Sequence, residues 1–197
     1  MDHIYHINEI FSTLQGEGFY TGRPSIFIRF SGCNIKCPFC DTLHHKSQLY
    51  TLDQICEQIN VWPNIRHVVL TGGEPGLQVD EALITALHKT GKYVAIETNG
   101  TLPIPPDIDW ITCSPKVEWC NMPLVLNKCD ELKVVYIGDE QDLSSYLNIQ
   151  CQVRYIQPCD SKNQSQNTRT LQQAIKYCLT HPQWDLSLQT HKIIGIP

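Results

Sequence analysis

Short apolar segments alternating with stretches of helical period constrain this chain more than any other feature. Ser25–Phe30 (SIFIRF), His67–Thr71 (HVVLT), Tyr93–Thr98 (YVAIET), Trp110–Cys113 (WITC), Glu131–Tyr136 (ELKVVY) and Cys151–Gln157 (CQVRYIQ) read as strands. Between them, Thr51–Val61 sets Leu52, Ile55, Cys56 and Ile59 on one helical face, with Thr51 as N-cap. Asp80–Thr90 repeats the pattern through Leu83, Ile84 and Leu87 and stops at Gly91. Thr170–His181 is a third helix closed by Pro182, and Gln141–Leu147 a shorter one. Such alternation implies a parallel sheet with right-handed crossovers. A complete βα barrel takes about 250 residues, and this chain has 197. The expected fold is therefore α/β: a partial, open βα barrel of about six parallel strands in a single domain spanning residues 1–197. Tyr5–Leu14 and the tail after Pro182 are small N-terminal and C-terminal additions to it.

Glycine-rich and polar signals follow the strands directly: SGCNIKCPFCDT, GGEPG, NGT and SPK. In a parallel βα fold these loops emerge together at the carboxyl ends of the strands, where ligands bind. The rest of the chain narrows the partners. Fifteen Lys and Arg against twenty Asp and Glu give a net charge of −5, which argues against a nucleic-acid surface. No apolar run approaches the roughly 18 residues of a membrane span. The start, MDHIYHINEI, lacks a basic-then-apolar export pattern, so a cytoplasmic location is expected.

Ten cysteines in such a chain point to metal or redox chemistry rather than disulfides. Cys33, Cys37 and Cys40 form C-x-x-x-C-x-x-C in the loop after the first of the six strands. Three thiolates hold three corners of a 4Fe-4S cluster and leave the fourth iron open. A structural zinc site is the alternative, with His44 or His45 as fourth ligand. The seven scattered cysteines read as small buried hydrophobes, and the spacing of Cys113, Cys120 and Cys129 matches no auxiliary-cluster pattern.

The cysteine loop, with Phe39 before its last Cys, resembles that of radical S-adenosylmethionine (SAM) enzymes. Gly72-Gly73-Glu74-Pro75 is similar to their GGEP motif. A narrower resemblance rests on Leu14-Gln15-Gly16-Glu17-Gly18, Arg29, Cys40-Asp41-Thr42, Glu97-Thr98-Asn99-Gly100, Ser114-Pro115-Lys116 and Gln189-Thr190-His191-Lys192. These are similar to the 7-carboxy-7-deazaguanine synthase family. The resemblance implies a radical SAM core and a lyase that converts 6-carboxy-5,6,7,8-tetrahydropterin to 7-carboxy-7-deazaguanine with loss of ammonia, toward queuosine and related deazapurines. It also implies a 5′-deoxyadenosyl radical and a magnesium-assisted ring contraction.

Laid on matching positions, the resemblance gives the cluster to Cys33, Cys37 and Cys40 and a magnesium ion to Thr42. SAM would meet Phe39, Cys40, Asp41, Gly73, Ser114, Pro115, Lys116, Gln157, Pro158, Cys159 and Asp160. The pterin would meet Leu14, Gln15, Gly16, Arg29, Thr71 and the carboxylate of Pro197, with Arg29 on the substrate carboxylate. Glu97 and Asn99 are further polar partners on the same rim. A flavodoxin-like or other electron donor and a homodimer are implied as well. A glycyl-radical activase shares the cluster spacing, but Gln15, Arg29 and the C-terminal match argue against it.

Overall fold

The computed structural model describes residues 3–40 and 46–197. The elements run β1 (Ile4–Leu14), β2 (Pro24–Phe30), β3 (Gln48–Thr51), α1 (Leu52–Ile59), β4 (His67–Gly72), α2 (Glu81–Lys89) and β5 (Tyr93–Thr98). They continue through β6 (Trp110–Cys113), β7 (Glu131–Tyr136), β8 (Val153–Pro158), α3 (Gln164–Thr180), β9 (Asp185–Leu186) and α4 (Thr190–Ile194). The strands form a nine-stranded open sheet in the order β3-β1-β2-β4-β5-β6-β7-β8-β9. All six expected strands are present and run parallel from β2 to β8, and the short β9 extends the parallel run. The N-terminal addition is β1, antiparallel to β2, with β3 antiparallel on its outer edge.

Local chemistry starts the helices. Thr51 and Gln54 exchange side-chain and backbone hydrogen bonds in a capping box on α1. Asp80 Oδ1 accepts from Leu83 N at 2.9 Å and caps α2. Two expectations need correction. α3 begins at Gln164 rather than Thr170, because Asn163 accepts from Gln166 N and starts the helix ahead of its apolar face. Gln141–Leu147 is no α-helix: a 3-10 turn at Ser144–Asn148, without a side-chain cap, buries Tyr146. Among the described residues no helix is long and apolar enough to cross a membrane.

Strand alternation divides the sheet into two faces. Outward residues such as Ile26, Ile28, Phe30, Leu70, Val94 and Ile96 pack under Ile55 and Ile59 of α1 and Leu83, Ile84 and Leu87 of α2. Further along, Leu132, Val134, Tyr136 and Ile156 pack with Ala174 of α3 and with Trp184. The inward face holds a smaller cluster, Phe27, Val69, Ala95 and Trp110, backed by Tyr20 and Tyr93. Below it, His67 Nδ1 meets Ser25 Oγ at 2.8 Å, and Tyr20 and Tyr93 lie against the imidazole. Aromatic rings thus fill the amino end of the inward face. Above them the same positions turn polar: Arg29 faces Thr71, Glu97 faces Thr112, and Thr112 faces Glu131.

Candidate active site

That polar end opens into a cavity of about 840 Å³. Loops after successive strands line it, as their order in the sequence implies. Cys33, Cys37, Phe39 and Cys40 follow β2; Gly73 follows β4; Asn99 follows β5; Ser114 and Lys116 follow β6. Gln157, Pro158, Cys159 and Asp160 come from the end of β8 and beyond. Leu14, Gln15 and Gly16 enter from the β1–β2 connection, Arg29 and Thr71 from the strands, and Pro197 from the tail. Of the described residues expected at the site, Pro115 alone is buried outside the lining. Asp41 and Thr42, like His44 and His45, lie outside the described residues.

The cysteine loop is held from both sides. Ser31 Oγ donates to the Lys46 carbonyl, Asn34 donates to Thr101 Oγ1 at 2.8 Å, and Asn99 donates to Asn34 Oδ1 at 2.9 Å. Phe39 meets Trp119 edge-on at 4.6 Å. The three thiols are free, and burial pushes Cys33 and Cys37 above the ordinary thiol range. Among the described residues no three His, Cys, Asp or Glu side chains converge on one point as ligands of a single ion. A four-iron cluster asks for something else, one thiolate per iron around a shared volume. Three thiols facing one cavity fit that requirement.

The loop Gly72-Gly73-Glu74-Pro75 lies directly against this one. Gly73 N donates to Phe30 O at 3.0 Å, and Glu74 N donates to Gly32 O at 2.9 Å. A Cβ on Gly73 would overlap the Gly32 carbonyl, so only glycine allows the approach. Glu74 turns away from the cavity and is completely buried. Its carboxylate accepts from Gly76 N, Thr98 Oγ1 and Asn99 N, tying this loop to the end of β5. Burial pushes its pKa up, while those donors favour the charged form.

In the same cavity, polar side chains form a continuous network. Gln15 Nε2 donates to Glu97 Oε1 at 3.0 Å and Thr71 Oγ1 to Glu97 Oε2 at 3.2 Å. Lys133 Nζ lies 2.6 Å from Glu17 Oε2 and 3.7 Å from Glu97 Oε1. Gln189 Nε2 donates to Glu17 Oε1 at 2.9 Å. Burial alone would raise the Glu17 carboxyl; the Lys133 charge and the hydrogen bonds outweigh it and bring the pKa down to about 2. The tail docks on the same wall. Thr190 donates twice to Gly16 O, and His191 packs where a Cβ on Gly16 would stand. Lys192 pairs with Asp160 at 2.9 Å.

Arg29 serves two contacts. Its Nε donates to Glu9 Oε1 at 2.8 Å, and the guanidinium lies 5.6 Å from the Phe11 ring centre. Lys133 is a site residue that motif reading passes over. The signal was present: a lysine at an inward position of ELKVVY needs a charged or polar partner, as Arg29 does in SIFIRF.

Residues 27–111 match the Radical SAM superfamily. Over 190 residues the chain is 50% identical to the 7-carboxy-7-deazaguanine synthase of Bacteroides thetaiotaomicron, covering 96% of this chain and 97% of that one. It is 43% identical to the protein of the same name from Burkholderia multivorans, over 98% and 99% of the two chains. The crystal structure of QueE from Escherichia coli matches with a TM-score of 0.78 at 30% identity, over 95% of each chain. The chain belongs to the 7-carboxy-7-deazaguanine synthase family within the Radical SAM superfamily.

Proposed function

We propose that this protein is the lyase that converts 6-carboxy-5,6,7,8-tetrahydropterin to 7-carboxy-7-deazaguanine and releases ammonia, in queuosine and deazapurine biosynthesis. The observation that carries this is that the three-thiol loop and the polar side chains of Gln15, Arg29, Thr71 and Glu97 line one cavity. Cys33, Cys37 and Cys40 would hold a 4Fe-4S cluster, and Phe39, Gly73, Ser114, Lys116 and Gln157 to Asp160 would bind SAM. When bound, the two supply one-electron cleavage of the sulfonium and the radical that starts the reaction.

The chain's own residues position the reactants. Gly73 lets the backbone approach SAM. Arg29 turns its guanidinium donors to the substrate carboxylate, which displaces the exposed Glu9 from its Nε. Gln15, Thr71 and the backbone of the Leu14–Gly16 segment bind the pterin edge, with Pro197 on the same wall. The packed aromatic end of the inward face keeps water from entering from below. A magnesium ion at Thr42, a flavodoxin-like or other electron donor, a homodimer and a cytoplasmic location belong to the same proposal. They rest on the family likeness.

The test is anaerobic incubation with SAM, reductant, Mg²⁺ and the carboxylated tetrahydropterin, with product read by absorbance and mass. Arg29→Ala should keep its iron and raise KM about 10- to 100-fold, the worth of a charge-assisted pair. Cys33→Ala should lose iron and turnover together. Normal turnover by Arg29→Ala would overturn the substrate assignment.

A further inference from the structure

Behind the cysteine loop, Asn34, Asn99 and Thr101 close a ring of hydrogen bonds. Asn99 Oδ1 accepts from the backbone N of Thr101 at 3.0 Å and from its hydroxyl at 2.6 Å. Asn99 Nδ2 therefore faces Asn34 and donates to its Oδ1 at 2.9 Å. Asn34 Nδ2 in turn donates to Thr101 Oγ1 at 2.8 Å. A backbone N–H can only donate, so Thr101 N fixes the direction of every bond in the ring. Asn99 and Thr101 are buried, and Glu74 Oε2 accepts from Asn99 N at 2.7 Å. The ring thus joins the Gly72–Pro75 loop, the end of β5 and the cysteine loop.

Asn34 stands between Cys33 and Ile35, and the backbone on either side of it is anchored as well. Gly32 O accepts from Glu74 N at 2.9 Å, and the Ile35 side chain is buried. Held in this way, Ile35 N donates to Cys33 Sγ at 3.4 Å. Asn34 and Thr101 do not line the cavity; what the ring reaches through Asn34 is the sulfur. Hydrogen bonds to the sulfurs are among the terms that set a cluster's potential, and a donor favours the more negative, reduced state.

We propose that Asn34, locked by Asn99 and Thr101, is a positioning residue that aims the Ile35 N–H at Cys33 Sγ and thereby raises the reduction potential at the three-cysteine site. This rests on the 4Fe-4S assignment made above. Asn34 acts through the backbone that follows it and does no chemistry itself.

The experiment uses the full chain, reconstituted with iron and sulfide under anaerobic conditions without SAM or pterin. It compares wild type with Asn34→Ala, Thr101→Val and Thr101→Ser. Asn34→Ala removes the ring's link to the loop, Thr101→Val keeps the shape but removes the hydroxyl, and Thr101→Ser keeps the hydroxyl. The potential is read by redox titration followed by electron paramagnetic resonance, with iron content and the urea midpoint measured alongside. At a fixed applied potential the ratio of reduced to oxidised cluster should fall about three- to tenfold in Asn34→Ala and Thr101→Val, a shift of about −30 to −60 mV for a one-electron couple. Thr101→Ser should stay within about twofold of wild type. A merely structural role would lower the urea midpoint and leave the potential where it was.

An unchanged or raised potential in either iron-loaded variant would overturn the proposal, as would a fall in Thr101→Ser matching that in Thr101→Val. Should Asn34→Ala fail to load iron, Thr101→Val gives the same readout. Loss of iron in both would also overturn it, because the ring would then build the site rather than tune it. A wild type that takes up no iron would instead refute the cluster assignment, so the two failures are separable.

Discussion

Glu74 tests whether a buried carboxylate organises the site from behind. It is completely buried, and no cation bonds it directly among the described residues. Oε1 accepts from Gly76 N at 2.8 Å and Thr98 Oγ1 at 2.7 Å, and Oε2 from Asn99 N at 2.7 Å. Glu74→Gln keeps the shape but replaces one acceptor by an NH₂. Either amide orientation sets that NH₂ against a backbone N–H, of Asn99 or of Gly76. One donor is then orphaned, at about 1–3 kcal/mol, and the surviving bonds weaken from charged to neutral, by about 1 kcal/mol each. Relief of the buried charge returns part of this, as the raised pKa of Glu74 indicates. The expected net loss is about 2–4 kcal/mol, or about 1–2 M in the urea midpoint for an m-value of about 2 kcal/mol/M. Urea unfolding followed by circular dichroism measures it, with Thr98→Val, which removes one donor, as a milder companion. The affinity for SAM should fall as well, since the latch fixes Gly73. An unchanged midpoint in Glu74→Gln would refute the reasoning, because Glu74 would then sit in the fold as the neutral acid.

Two further outcomes follow from the charges. The Glu17 carboxyl falls from its ordinary 4.5 to about 2 in the fold, so its stabilisation is complete above about pH 4.5 and is lost as the pH drops toward 2. That loss is about 3 kcal/mol at 1.36 kcal/mol per unit. Urea titrations of the cluster-free protein at stepped pH should show it, Glu17→Gln should flatten the slope, and an unchanged slope would contradict the pairing. Glu9→Gln should lower the KM for the pterin about two- to fivefold by freeing Arg29 from a weak exposed pair, and a raised KM would show that Glu9 is needed to aim the guanidinium.

Much of this was legible because strand period and loop chemistry are local. SIFIRF, HVVLT and YVAIET announce themselves by apolar content, and the order of the loops then dictates one rim. Asn163 shows the limit for helices: residues 164–169 have no apolar face, so only the cap signals that α3 starts there. The network of Glu17, Gln189, Lys133 and Glu97 was harder to see, since its members lie up to 172 residues apart. Glu17, Glu97 and Gln189 stand in motifs that the sequence shows, but their pairing with one another and with Lys133 emerges only when the sheet's register turns them inward. Glu74 is the opposite case. The GGEP pattern flags it, yet the structure turns it away from the cavity to brace two backbone segments.

The two cations of the wall illustrate why pairing alone does not identify a binding residue. Arg29 and Lys133 each hold a carboxylate at close range, 2.8 Å to Glu9 and 2.6 Å to Glu17. The Glu9 side chain is 51% exposed, whereas that of Glu17 is 17% exposed. An exposed pair is worth about 0–1 kcal/mol, so Glu9 can yield to an incoming carboxylate at little cost and rehydrate as it leaves. Breaking the buried pair strands a charge at about 3–5 kcal/mol, more than a substrate carboxylate held in a similar geometry would return. Exchangeability, set by the solvent access of the partner, therefore supports the proposed role of Arg29 as the ligand-binding cation and sets Lys133 apart as part of the framework.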